Sequence, residues 1–235
     1  MRSNTLQFAI GQRAFIITTP VGLIMWDLVP FLDSDTIEHI KSLGKPLLAI
    51  IISHPHYYST YATWSAAFSS VPIYIASDDI SWLCRSVPSG ATLKTIDGPV
   101  GTQQEVIDGS NVTIIKAGGH FPGSLLLHSS DANALFIADT IVTVPSAYSP
   151  HPRPKGQTTY SFMWSIPNII PMTPDEIWGI WKSVKGLKWG RSYGAFKGMD
   201  VRDHNLRERL LESMQIQVRT GGWSKHRLLD ESVDA

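Results

Sequence analysis

The feature that most constrains this chain is an apolar run, Leu47 to Ile52, that leads into Ser53-His54-Pro55-His56. A continuous apolar run of this length, followed at once by a helical pattern, is typical of a buried strand. Side chains with chemical roles gather at the carboxyl ends of such strands, and residues two apart on an extended segment point to the same side. The run therefore predicts that His54 and His56 can hold one metal ion together. The alternative is a buried core histidine beside a surface histidine.

The length and the charge balance of the chain limit the number of domains and the classes of partner that we expect. The chain has 235 residues, and its 20 basic and 20 acidic side chains balance. This length suits one large domain, and no linker-like stretch divides it, so we expect a single domain over residues 1–235 with a frayed tail from about Gly221. Zero net charge offers no electrostatic footprint for nucleic acid. A small or neutral substrate is a better expectation than a polyanion, no nucleic-acid partner is expected, and the oligomeric state is left open.

The cysteine count and the apolar runs bear on location. Cys84 is the single cysteine, so an intrachain disulfide and a cysteine-rich zinc site are excluded. No apolar run reaches the roughly 18 residues of a membrane span, and Met1 to Asn4 do not lead into a signal peptide. We expect a cytoplasmic protein with no membrane partner.

The order of elements predicts an α/β fold. Short strands are expected early, followed by strands and helices in alternation. The predicted strands are Thr5 to Phe8, Ala14 to Thr18, Gly22 to Trp26, Val71 to Ala76, Val106 to Lys116, Ser124 to His128 and Ala134 to Ala138. The predicted helices are Asp33 to Leu43, one capped by Ser59, one opened by the capping box at Thr173, and a last one through Leu206, Leu210 and Met214.

Two more candidate ligands lie at comparable places. His120 is in a glycine-rich stretch, Gly118 to Ser124, which suits a loop that delivers one imidazole into a site. Asp139 directly follows the strand ending at Ala138. Three imidazoles and a carboxylate satisfy the tetrahedral preference of Zn²⁺, and two histidines with a carboxylate equally suit non-haem Fe²⁺.

A long connection from Pro145 to Pro174 is rich in proline and apolar residues. Long connections in a compact domain often have a function, such as covering a binding or active site. We predict that Tyr160, Phe162, Met163 and Trp164 form an apolar wall or lid over the metal, with ordinary core packing as the alternative.

Together these motifs resemble the metallo-β-lactamase fold family, over roughly Asn4 to Phe196. That family has a first motif His-x-His-x-Asp-His after a strand, then a Gly-His-x-x-Gly-Ser loop, then a strand that ends in a metal-bridging Asp. The matching segments are Ser53 to Ser59, Gly119 to Ser124 and Phe136 to Thr140. Asp27 matches an early structural aspartate. The resemblance implies a four-layer αββα sandwich with metal ligands His54, His56, His120 and Asp139.

The departures from the family pattern all concern the second metal. Tyr58 stands where the family has Asp, Ser59 where it has the next His, and Ser192 to Phe196 contains no final His. His204 lies beyond that segment, and we expect it on a helix surface. One metal per chain is the prediction, zinc first and iron as the alternative.

Three functions fit these residues. The first is a hydrolase of small esters, thioesters or lactones, because zinc lowers the pKa of bound water to about 7. Tyr58 cannot replace the lost Asp as a base because its pKa is near 10, but it can donate a hydrogen bond to an oxyanion, so we predict Tyr58 and Asp139 as catalytic residues. The second function is a sulfur dioxygenase with non-haem Fe²⁺. The third is a binding protein without catalysis.

Overall fold

One mixed sheet is built by the first part of the chain. The computed structural model describes residues 10–87, 89–149, 154 and 156–233, so the strand expected over Thr5 to Phe8 lies outside the described residues. The sheet contains, in order, β1 Phe15–Thr18, β2 Leu23–Trp26, β3 Leu47–Ile51, β4 Ile73–Ala76 and β5 Leu93–Ile96. The pair β1-β2 is antiparallel, and the other pairs are parallel. The carboxyl ends of β2 to β5 therefore meet at one edge.

A second sheet has the order β15-β14-β9-β8-β7-β6. Its strands are β6 Gln103–Glu105, β7 Val112–Lys116, β8 Leu125–Ser129, β9 Ala134–Ala138, β14 Arg191–Gly194 and β15 Asp200–Arg202. Here β14 runs parallel to β9, and the remaining pairs are antiparallel. Two short hairpins lie outside both sheets: β10 Val142–Thr143 with β11 Tyr160–Ser161, and β12 Met163–Ser165 with β13 Ile170–Pro171.

Four helices cover the outer faces of the two sheets. Helices α1 Ser34–Ser42 and α2 Tyr61–Ala67 pack on the first sheet, and α3 Pro174–Val184 and α4 Leu206–Thr220 pack on the second. The predicted four-layer αββα sandwich is confirmed. Within the described part of the chain, none of the helices combines the length and apolar character needed to cross a membrane.

Strand β3 shows why an all-apolar run suits this architecture. Ala49 and Ile51 face the other sheet, whereas Ile50 and Ile52 face α1 and α2, and all four are buried. A strand covered on both sides has no polar face, which explains the absence of alternation in the sequence. Each fully buried aliphatic side chain of this size stabilises the fold by roughly 1.5–3 kcal/mol.

Two of the four α-helices, α1 and α3, begin at a residue whose side chain caps the helix. Asp33 accepts a hydrogen bond from the Thr36 amide at 2.8 Å to cap α1, and Thr173 forms the predicted capping box with Glu176. The predicted Ser59 cap is wrong, because Ser59 lies inside a 3₁₀ helix, Pro55–Thr60, and α2 begins only at Tyr61. Proline at the first position of that turn starts the helix early.

The last part of the chain is packed, in contrast to the frayed tail expected from Gly221. A 3₁₀ helix over Arg227–Asp230 follows α4, and Leu228 is fully buried in the cluster formed with α3 and α4. Glu231 then accepts hydrogen bonds from the indole N–H groups of Trp178 and Trp181, both at 2.9 Å. Polar composition hid this docking, because a few anchoring residues are enough to hold the segment.

Candidate metal centre

The four residues predicted as metal ligands meet at one edge of the sandwich, where strands of both sheets end. His54 and His56 follow β3, Asp139 follows β9, and His120 lies on the loop between β7 and β8. One ligand atom from each residue lies within 4.8 Å of every other. Within the described ranges this is the one group of three or more His, Cys, Asp or Glu side chains with such spacing.

The distances fit a single ion. His54 Nε2 lies 3.1 Å from His56 Nδ1, His120 Nε2 lies 3.4 Å from His56 Nδ1, and Asp139 Oδ2 lies 3.5 Å from His54 Nε2. A tetrahedral ion with bonds of about 2.1 Å holds its ligand atoms about 3.4 Å apart. These three distances are close to that value, and imidazole nitrogen and carboxylate oxygen are suitable ligand atoms for a metal ion.

The two histidines after β3 converge for a different reason from the one predicted. His54 has the extended conformation, with φ −165° and ψ 171°, but His56 already belongs to the first turn of the 3₁₀ helix over Pro55–Thr60. The ring atoms meet because the chain bends back after His54, not because both residues share a strand. The two rings lie close enough to share one ion, so the joint site stays a prediction that this geometry fits, whereas the alternation argument for it was wrong.

Hydrogen bonds orient two of the imidazoles. The Nδ1–H of His120 donates to the carbonyl of Met163 at 3.1 Å, which leaves Nε2 with its lone pair toward the site. Nδ1 of His54 contacts the Ser53 hydroxyl at 2.8 Å, so its Nε2 also faces inward. The carbonyl of Met163 fixes both the ring orientation and the tautomer of His120, and the Ser53 hydroxyl fixes the ring orientation of His54.

The protonation states suit a cation. Burial lowers the pKa of His54 to about 4, so this ring is neutral at pH 7. Burial, followed by the nearby His120, also lowers the pKa of His56. Burial alone raises the pKa of Asp139, but the hydrogen bond to His54 and the surrounding imidazoles outweigh it and bring that pKa below its usual value. Neutral imidazoles and an ionised carboxylate are the forms that bind metal.

Asp27 supports the ligands from behind. Its carboxylate accepts a hydrogen bond from the Ser53 amide at 2.7 Å, next to His54. The residue has a φ of 59° and is buried, and this burial raises its pKa to about 8. The position predicted as a structural aspartate thus fixes the backbone from which His54 projects.

The residues that replace the second-metal ligands do not gather around an ion. Tyr58 is buried in the cluster between the first sheet and its helices, and its hydroxyl has no hydrogen-bond partner among the described residues. Ser59 is exposed. A catalytic role for Tyr58 stays a prediction that this placement does not favour.

The positions near the end of the chain agree with the loss of a second site. Gly194 pairs with Ala138, so the segment after β14 lies beside Asp139, and it supplies Ala195 and Phe196. The side chain of His204 is 89% exposed and pairs with Asp203, as expected for a surface histidine.

A cleft of about 490 Å³ opens onto the centre. Its walls combine two ligand histidines with aromatic, proline and small polar residues. They are His56, Trp82, His120, Phe121, Pro122, Trp164, Ser165, Pro167 and Asn168. A concave, mainly apolar cleft of this size beside a reactive centre is typical of small-molecule sites.

The predicted apolar lid is correct for one of its four residues. Trp164 lines the cleft and is half exposed, whereas Tyr160 and Phe162 are buried in the core under α3 and α4. Met163 contributes its carbonyl to His120. These three aromatic residues are two positions apart, so alternation within a single strand would place them on one face. Trp164 is separated because it belongs to a different hairpin, β12 with β13, from Tyr160 in β10 with β11.

Sequence reasoning missed Trp82 and Phe121. Trp82 ends a 3₁₀ helix, Ser77–Trp82, whose Asp79 accepts a hydrogen bond from the Gly123 amide at 3.0 Å in the His120 loop. Phe121 follows His120 directly, and its ring packs edge to face against Trp82, with the ring centroids 5.3 Å apart. The position beside His120 was a usable signal for Phe121, but nothing local in the sequence marks Trp82.

Comparison with known sequences relates this chain to a bacterial protein. The "Uncharacterized protein YmaE" of Bacillus subtilis (strain 168) is 35% identical over 198 residues, covering 81% of this chain. The chain spans 64% of the length of that relative. No protein-family model matches the sequence.

Solved structures supply the fold. The DIM-1 metallo-β-lactamase superposes with a TM-score of 0.61 at 14% identity, covering 88% of this chain and 87% of that one. The protein TTHA1623, solved in a di-iron-bound form, superposes with a TM-score of 0.55 at 15% identity, covering 87% and 96%. At such identities the likeness establishes the architecture, and chemistry has to be argued from the residues.

Proposed function

We propose that this chain, which has the metallo-β-lactamase fold, is a metal-dependent hydrolase that binds one metal ion, zinc in the first instance. Its substrates in this proposal are small, uncharged esters, thioesters or lactones. The observation that supports it best is the convergence of His54, His56, His120 and Asp139 on one point at the mouth of an apolar cleft.

These residues fit the ion by their own chemistry. Met163 leaves the lone pair of His120 Nε2 directed inward, Ser53 orients the His54 ring so that Nε2 faces the same point, and the four ligand atoms lie within 4.8 Å of one another. When bound there, a divalent metal would polarise a carbonyl oxygen and make a coordinated water acidic. Asp139 would balance part of the positive charge.

The cleft favours substrates with good leaving groups. Apart from the two histidines assigned as ligands, the described residues that line it include none with a titratable side chain. A leaving group of low pKa departs without a proton, whereas an amine needs a general acid. We therefore expect activated esters and thioesters to react, and amides such as β-lactams not to react.

Elemental analysis tests the metal assignment. Protein purified without chelator should contain one zinc or iron per chain. His120→Ala should remove most of it, and His204→Ala, which changes an exposed histidine outside the centre, is the matched control. Two tightly held ions per chain would contradict the proposal, as would an unchanged metal content in His120→Ala.

Hydrolysis of 4-nitrophenyl acetate by the zinc-loaded protein tests the reaction. The rate should exceed that of chelator-treated protein and fall to that level in His120→Ala. Equal rates with and without metal would refute the hydrolase proposal and favour a binding protein on the same fold.

One observation favours an iron enzyme as the second candidate. The centre combines imidazoles with a carboxylate, since Asp139 Oδ2 lies 3.5 Å from His54 Nε2, and such mixed sets suit Fe²⁺. A preparation loaded with Fe²⁺ that consumes oxygen in the presence of glutathione persulfide, with no esterase activity in the zinc form, would support a sulfur dioxygenase instead.

A further inference from the structure

The walls of the cleft beside the metal centre are aromatic and uncharged, and this composition indicates which chemical groups the cleft can bind. Trp82 and Trp164 line it from different elements, and their side chains are about half exposed, at 56% and 53%. Large aromatic side chains next to a reactive centre offer apolar contact area that a ligand can cover.

The two tryptophans are held by the same loop that carries the ligand His120. The carbonyl of Met163, the neighbour of Trp164, accepts the Nδ1–H of His120. On the other side, Asp79, in the 3₁₀ helix that ends at Trp82, accepts the Gly123 amide. Both walls are therefore fixed relative to the metal centre.

The backbone beneath Trp164 is also fixed from below. Gln217 of α4 brackets Phe162: its side-chain oxygen accepts the Phe162 amide at 3.0 Å, and its amide group donates to the Phe162 carbonyl at 2.8 Å. The strand that carries Trp164 therefore starts from a core anchor. Because this wall is already ordered, a ligand that contacts it causes little further loss of conformational entropy, which favours binding.

An apolar path connects the cleft to the ligands. The ring centroids of Trp82 and Phe121 are 5.3 Å apart, and those of Phe121 and His56 are 5.1 Å apart. Both pairs are packed edge to face. Ser165 and Asn168 hydrogen-bond to each other at 2.8 Å, so part of their polarity is already satisfied. The described lining contains no Asp, Glu, Lys or Arg, so a charged group placed between the two tryptophans would lose water and gain no ionic partner from the walls.

We propose that the substrate carries a bulky, uncharged apolar group, a ring or a hydrocarbon chain, that lies between Trp82 and Trp164 while its carbonyl lies at His56 and His120. This inference rests on the proposed hydrolase function and adds to it the selection of the acyl group. A short acyl group reaches the metal but leaves the cleft walls uncovered.

Esters with one common leaving group test the selection. We compare the 4-nitrophenyl esters of acetate, hexanoate and phenylacetate with the 4-nitrophenyl monoester of adipate, whose chain length matches hexanoate but which ends in a carboxylate. For the zinc-loaded protein, kcat/KM should be about tenfold or more higher for hexanoate or phenylacetate than for acetate, as expected for covering roughly 60 Å² of apolar surface. The adipate monoester should lose this advantage. The two favoured esters separate a chain from a ring.

Three tryptophan variants complete the test. Trp82→Ala and Trp164→Ala should each bring the ratio of kcat/KM for the larger uncharged esters to kcat/KM for acetate close to one. Trp223→Ala is the control, because Trp223 is 58% exposed and lines a separate groove against α3 and α4. Equal kcat/KM for acetate and hexanoate, or a preference that survives both cleft variants, would overturn the inference.

A binding measurement separates the two proposals. Octan-2-one has no ester bond to hydrolyse, and 7-oxooctane-1-sulfonate is its charged counterpart. By saturation-transfer NMR the zinc-loaded protein should bind the ketone at least about tenfold more tightly than the sulfonate, and Trp164→Ala should abolish the difference. Ketone binding without any esterase activity would refute the hydrolase and keep the cleft assignment. Esterase activity with equal binding of both ketones would do the reverse.

Discussion

A methyl group added at Gly123 should weaken metal binding without touching a ligand. Gly123 lies three residues after His120, and its φ is outside the left-handed region, so Gly123→Ala needs no change of backbone conformation. The added Cβ would nevertheless lie 2.4 Å from the Cβ of Ala76 and 2.8 Å from Oδ2 of Asp79. Carbon atoms in contact prefer about 3.5–4.0 Å, so the gap must open by more than about 1 Å.

The loop is the part that gives way. Ala76 ends β4, which is paired on both sides by β3 and β5, whereas the loop is held at this point by the hydrogen bond from the Gly123 amide to Asp79. Overpacking of this kind costs about 1–3 kcal/mol of the free energy of unfolding. Because His120 belongs to the same loop, we expect the zinc affinity to fall by about 10- to 100-fold. This is the loss that follows when a metal-binding side chain loses its hydrogen-bond partner.

Two measurements on one variant check this reasoning. Urea denaturation of the metal-free protein gives the loss of stability, and competition with a chromophoric chelator gives the zinc Kd. Gly186→Ala is the control, because an added Cβ there meets nothing within 4 Å and both measurements should stay near wild type. If Gly123→Ala is destabilised but binds zinc as tightly as wild type, the loop does not transmit the strain to His120 and the reasoning fails.

Three further changes probe the support of the site and of the fold. Ser53→Ala removes the partner of His54 Nδ1 and should raise the zinc Kd by about tenfold in the same competition assay, with Ser59→Ala, an exposed serine, as the control. Asp27→Asn keeps an oxygen for the Ser53 amide and removes the ionisation that burial opposes, so in urea denaturation the stability of the metal-free variant relative to wild type should be higher near pH 8 than near pH 4. Glu231→Ala leaves two indole N–H groups without their acceptor and should cost about 1–3 kcal/mol, whereas the exposed Glu208→Ala should cost little.

The sign of the Asp27 effect follows from its pKa. The folded value of about 8 lies above the ordinary 3.8, so the unfolded chain releases this proton more readily. The contribution of the protonated carboxyl to stability is therefore present below about pH 4 and is lost as the pH rises toward 8. Identical pH profiles for wild type and Asp27→Asn would contradict this. For Ser53→Ala and Glu231→Ala, the contradicting results are an unchanged Kd and an unchanged midpoint of unfolding.

The sequence was informative wherever a local pattern decides the structure. The apolar run before His54 predicted a strand covered on both faces, because such a strand cannot have a polar side. Asp139 was found because it ends a strand, and strand ends from both sheets meet at one edge. The Thr173 capping box predicted the start of α3 because its two hydrogen bonds are local.

Features that depend on distant contacts were not predictable. The carbonyl of Met163 reaches His120 across 43 positions, and Gln217 brackets Phe162 across 55. A backbone carbonyl leaves no mark in a sequence, so the group that orients His120 could not be found there. Trp82 resembles any surface aromatic until the Asp79 contact brings its helix to the His120 loop.

Packing also explains why the second set of ligands would be hard to restore. Tyr58 fills part of the cluster between the first sheet and its helices, and losing a large buried aromatic side chain costs about 3–5 kcal/mol. Aspartate at this position would in addition place a carboxylate among apolar neighbours, where ionisation is unfavourable. Histidine is easily accepted at the exposed Ser59, but Ala195, beside Asp139, is buried and pairs through its carbonyl with the Arg13 amide. A change of ligands alone would thus destabilise the fold before it built a second site, which supports the assignment of one metal per chain.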